Sequence, residues 1–120
     1  MDANTPKSEY SQQFLDGMVA RMGVSYYRYG ALKKAYPHKV NAIESLKERL
    51  KWYLEGNEAK GIPAGNIEYL MDVANFAMIE FMLPAHPDAH YKGTDSKESP
   101  GRRWHDNKSN YRDNEGERPT

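Results

Sequence analysis

Up to Pro84 the large apolar residues recur with the period of an α-helix, and no stretch alternates in the manner of a half-buried strand. Thr5-Pro6 reads as an N-cap followed by a first-turn proline. Phe14, Leu15, Met18, Val19 and Met22 then share one face and predict a helix from about Ser8 to Met22, with Gly23 as its stop. Val24–Tyr36 is rich in tyrosine and cut by Gly30, and a short helix or a tight connection fits it. Pro37 opens a second helix, in which Val40, Ile43, Leu46, Leu50, Tyr53 and Leu54 step by threes and fours into one apolar stripe. Gly56-Asn57 ends it. Glu58–Gly65, with Gly61, Pro63 and Gly65, predicts a loop. Asn66 caps a third helix that Pro84 stops after Leu83. The expected fold class is all-α.

The third helix carries the most informative pattern. Ile67, Leu70, Met71, Val73, Ala74, Phe76, Ala77, Met78, Phe81, Met82 and Leu83 cover nearly its whole circumference, as in a buried helix. Glu68, Asp72 and Asn75 nevertheless fall at i, i+4 and i+7 on one polar stripe, with Glu80 well away from it. Carboxylates in apolar surroundings are costly unless paired or bound to a cation, so a partner is expected opposite the stripe. Glu44 and Glu48 lie on the shoulder of the second helix's apolar face, and antiparallel packing would let the two acidic pairs meet. Oxygen donors without His or Cys suit a hard cation such as Mg²⁺, which would in turn hold phosphate oxygens. In the plainer alternative, Glu44 and Glu48 are solvated partners of Lys47, Arg49 and Lys51, and Asp72 and Asn75 belong to a buried polar network.

Composition alters this picture in three ways. The chain has 120 residues, enough for one domain. From Tyr91 onward there is no Val, Ile, Leu, Met or Phe, so a helical domain over 1–84 is expected to be followed by an extended polar arm over 85–120. Seventeen Lys+Arg balance seventeen Asp+Glu, which gives no strong nucleic-acid signal. There is no cysteine, which excludes disulfides and thiolate chemistry. A mean hydropathy of −0.94 and the lack of an apolar run after Met1 predict no membrane partner and a cytoplasmic location. Three helices make a thin core, so a homo-oligomer, a dimer or tetramer sharing the third helix, is expected.

The order Arg28-Tyr-Gly, then a helix with acidic pairs, then Glu68-Tyr-Leu-Met-Asp72-Val-Ala-Asn75-Phe resembles the MazG-like all-α nucleoside triphosphate pyrophosphohydrolases. The likeness covers roughly Met18–Leu83 and is nearest to their small phage-encoded branch. It implies a helical bundle that oligomerises and holds Mg²⁺ between two acidic pairs, here Glu44 with Glu48 and Glu68 with Asp72. Turnover would depend on Glu48 and Asp72, Asn75 would add an amide contact, and Arg28, Lys33 or Lys34 would meet phosphate. Both pairs here are spaced by four, whereas the superfamily usually spaces them by three. That departure motivates an alternative: a non-catalytic phage anti-defence protein that sequesters a nucleotide signal or blocks a host defence protein.

Other features point less far. Tyr26, Tyr27, Arg28, Tyr29, Lys33 and Lys34 interleave rings and cations as a base-stacking, phosphate-binding surface would; aromatic core packing explains them as well. The run Glu80-Phe-Met-Leu-Pro-Ala-His86-Pro-Asp-Ala-His90-Tyr is similar to a set of uncharacterised phage and bacterial small proteins, which implies no activity. His86 and His90 flank Pro87, so their spacing has little metal-binding force. The Ser/Thr-rich arm with Lys92, Lys97, Arg102 and Arg103 offers a phosphate grip, against the alternative of a solvated tail.

Overall fold

Helix ends in this chain follow side-chain caps and positive-φ glycines more closely than prolines. The computed structural model describes residues 4–93. Among them are four α-helices: α1 (Gln12–Tyr29), α2 (Leu32–Ala35), α3 (Ala42–Glu55) and α4 (Tyr69–Met82). The only β pairing among the described residues is an isolated bridge between Asn57 and Ile62. The residues up to Ala89 group into one compact helical unit. Glu80 is one reason, because its carboxylate accepts the backbone N–H groups of Ala85 and His86 at 3.1 and 3.2 Å.

Three boundaries differ from the sequence expectation. α1 starts at Ser11, whose hydroxyl accepts the Phe14 N–H at 3.0 Å, while Pro6 opens only a separate 3-10 turn over Lys7–Glu9. The helix then runs through Gly23 to Tyr29, absorbing half of the tyrosine-rich stretch, and stops at Gly30 with φ 87°. One interior glycine costs a helix only about 1 kcal/mol, less than an uninterrupted backbone ladder and a packed face supply. Likewise α3 does not begin at Pro37, which follows a cis peptide bond in the turn after α2. Its cap is Asn41, whose side chain accepts the N–H groups of Ile43 and Glu44 at 2.9 and 3.1 Å. Gly56 ends α3 as expected, with φ 80° and its N–H on the Trp52 carbonyl. Asn66 accepts the Glu68 N–H at 3.1 Å and caps a turn that tightens into α4.

α4 packs against both α3 and α1. Arg49 meets Phe76, and Trp52 meets Tyr69 nearer the start of α4, so α3 and α4 run antiparallel. On the other side α1 comes close at Gly17, where a Cβ would stand 2.7 Å from the Met71 sulfur. Among the described residues the buried apolar core is small: Ala42 and Ile79. α4 is therefore less buried than its composition predicts, with Phe81 76% and Met82 55% exposed. Two neighbouring helices cover only part of a cylinder, and the remaining face of α4 has no cover from the described residues. None of the described helices is long and apolar enough to cross a membrane.

Candidate functional site

The polar stripe of α4 runs from solvent into the protein. The side chain of Glu68 is 65% exposed, that of Asp72 24%, and Asn75 only 5%. What stands opposite is a pair of arginines. Arg21 of α1 reaches Glu68 at 2.9 Å and Asp72 at 3.2 Å, and Arg49 of α3 reaches the other oxygen of Asp72 at 3.6 Å. Arg49 also bonds Glu48 at 2.7 Å and lies 4.7 Å from the Trp52 ring and 5.6 Å from Phe76. It is held from several sides at once, which fixes its guanidinium plane. Lys60 adds a second cation 4.8 Å from the Trp52 ring.

Beside this cluster opens a cavity of about 510 Å³, within the range of small-molecule sites. α1 contributes Arg21, Ser25 and Tyr29; the turn after α2 contributes Tyr36 and Lys39; α3 contributes Ser45 and Arg49. α4 supplies Asp72, Asn75, Phe76 and Ile79. Three cations thus border the space against one carboxylate. Asn75 donates from Nδ2 to the Met18 carbonyl at 3.0 Å, which orients the amide. Its Oδ1 is buried and accepts no hydrogen bond. A buried acceptor left unused costs roughly 1–3 kcal/mol.

Among the described residues, Tyr36 is the titratable group whose surroundings move it clearly. Burial pushes its hydroxyl above the usual value of 10.0, and the Arg49 charge offsets part of that rise. The hydroxyl is thus a donor at neutral pH. Because the folded value is the higher one, its contribution to stability is complete below pH 10 and declines as pH rises through the folded value. Phenolate absorbance of the native protein is expected to show a component above the ordinary tyrosine range, absent from Tyr36→Phe.

The structure brings Glu68, Asp72 and Asn75 into line as their spacing predicts, but it does not gather the four acidic residues around one point. Glu44 is exposed beside Lys47 at 3.4 Å, and Arg49 stands between Glu48 and Asp72. Among the described residues no three His, Cys, Asp or Glu side chains converge on a metal position. Guanidinium groups take up the Asp72 oxygens from two sides. Tyr29 lines the cavity, whereas Arg28, Lys33 and Lys34 are exposed and do not. His86 is engaged locally, accepting the Asp88 N–H at 3.0 Å. Arg102 lies outside the described residues.

Arg21, Arg49, Lys39 and Tyr36 are the residues that sequence pattern alone does not single out. A signal existed for the two arginines. Arg21 follows Met18 by three and precedes Met22, and Arg49 follows Leu46 by three and precedes Tyr53 by four, so each sits within an apolar stripe. Comparison with family models, curated proteins and solved structures returned no match.

Proposed function

We propose that the cavity binds a nucleotide and holds it intact. Its phosphates would meet Arg21, Arg49 and Lys39, and its base would lie against Tyr36 and Phe76. The observation that carries this reading is the pair of carboxylate-held arginines, joined by Lys39, on the wall of a space that also includes a buried amide with an unused acceptor. Planar guanidinium forks suit phosphate oxygens, and a nucleotide supplies both those oxygens and N–H or O–H donors. Storage without turnover agrees with the anti-defence alternative, in which a nucleotide signal is sequestered.

The alignment of Glu68 and Asp72 on successive turns favours a second reading, the Mg²⁺-dependent pyrophosphohydrolase of the MazG-like resemblance. It requires Arg21 and Arg49 to leave the carboxylates first. A thermal-shift panel of nucleotides with and without Mg²⁺, followed by chromatography of the bound ligand, separates the two. A raised melting temperature with unchanged ligand supports storage. Recovery of a nucleoside monophosphate from a triphosphate supports hydrolysis, and no shift with any nucleotide sinks both readings.

We further propose that a second copy of the chain covers the outer face of α4. The two carboxylates of α4 are occupied elsewhere, Asp72 with arginines and Glu80 with backbone, while Phe81 and Met82 stay exposed. Val19 on the neighbouring α1 is 70% exposed as well. Light scattering should give a mass above one chain, reduced to one chain by Phe81→Glu. A single-chain mass at high protein concentration would end this proposal.

A further inference from the structure

The neutral total charge conceals a segregated distribution. From Gly17 to Ile43 the chain contains no Asp or Glu, yet it carries Arg21, Arg28, Lys33, Lys34 and Lys39. Arg21 is neutralised by Glu68 and Asp72, and Lys39 belongs to the cavity wall. Arg28, Lys33 and Lys34 are exposed, and none forms an ion pair or side-chain hydrogen bond with another described residue. Three rings accompany them: Tyr26 is 68%, Tyr27 91% and Tyr29 74% exposed. α1 ends at Gly30 and α2 starts at Leu32, so the lysines follow the tyrosines within a few residues.

We propose that this segment binds single-stranded nucleic acid, with phosphates at Arg28, Lys33 and Lys34 and bases stacked on Tyr26 and Tyr27. The charge argues for a polyanion, since free cations without a nearby carboxylate attract phosphate and gain from counterion release. The rings decide between polyanions. Neighbouring helix positions are about 100° apart, so Tyr26 and Tyr27 spread around the end of α1 instead of merging into one patch. An acidic protein would be gripped through a compact, desolvated cluster, whereas a strand can place successive bases on separate rings. Any base offers a π-face, so the binding is tolerant of sequence. The site stands apart from the cavity reading, touching it only through Tyr29.

Fluorescence anisotropy of the full chain with a labelled oligothymidine tests this. Affinity should fall with salt with a slope near −2, about −0.7 for each of three phosphate contacts. Replacing Lys33 and Lys34 together by alanine should reduce that slope by about 1.4. Tyr27→Ala should weaken binding at least about fivefold, and Tyr27→Phe should restore it. The same Tyr27→Ala protein should keep its thermal shift with mononucleotides, which keeps this outcome distinct from that of the cavity. Absence of binding, equal binding of a duplex, an unchanged affinity in Tyr27→Ala, or equally tight binding of polyglutamate would each overturn the assignment. The last would point to an acidic protein partner.

Discussion

Replacing Asp72 with asparagine is expected to strengthen nucleotide binding rather than abolish it. Its carboxylate shares two guanidinium groups with the space in which a phosphate would sit. Removing that charge releases one contact of each fork, leaving Arg21 on Glu68 and Arg49 on Glu48, and ends its repulsion of the ligand, which at the high effective dielectric of a half-open site is worth about 1 kcal/mol per ligand charge. Affinity should rise about fivefold or more in calorimetry. The unliganded protein should lose stability by roughly 1–2 kcal/mol, because Arg21 and Arg49 lose the carboxylate they share and each keeps only its other partner, Glu68 or Glu48. Arg49→Ala should act in the opposite direction, weakening binding by about tenfold or more through loss of a charge-assisted contact. If metal-dependent hydrolysis were the function, Asp72→Asn would instead eliminate turnover and bring no gain in affinity. The sign of the change at this one residue thus separates storage from catalysis.

Gly56→Ala is expected to be the most damaging conservative substitution for the fold. Its backbone has φ 80° and ψ −177°, a region that residues with a Cβ rarely occupy. A Cβ there would stand 2.7 Å from the Ile62 carbonyl oxygen and 2.9 Å from the Ala64 nitrogen, both backbone atoms. Neither can move without disturbing the loop. Asn57 and Ile62 exchange two backbone hydrogen bonds, and the Gly65 N–H reaches the Tyr53 carbonyl at 2.7 Å. Gly30 provides the internal comparison, with φ 87° and ψ −167° but open space for 4 Å around the position a Cβ would take. Gly30→Ala should therefore show the backbone strain alone, about 1–3 kcal/mol, and Gly56→Ala should exceed it by about 1 kcal/mol more. Chemical denaturation of the two variants side by side checks the difference. Equal losses would remove the loop contact from the argument.

Features encoded over a few residues were legible before the structure. The end of α3 at Gly56, the end of α4 before Pro84 and the alignment of Glu68, Asp72 and Asn75 all follow from local backbone preference or helical spacing. The length of α1 was not legible, because the penalty of Gly23 is outweighed by bonds and packing that no local signal shows. Asp72's partners depend on how three helices pair. Periodicity placed Arg21 and Arg49 within apolar stripes, yet only the packing of α1 and α3 against α4 brings both to one carboxylate. Composition likewise marked α4 as apolar all round without telling which side its neighbours would leave uncovered. Phe81 and Met82 are that uncovered side.

The stripe from Glu68 through Asp72 to Asn75 sets how much change each position can absorb. At its outer end water competes for the carboxylate, so many polar residues would serve. One turn deeper, charge is tied to two arginines, and only groups of similar shape would keep them apart. At Asn75 the backbone of α1 itself dictates a donor of fixed length. Within two turns, evolutionary freedom on this helix therefore narrows from broad to almost none.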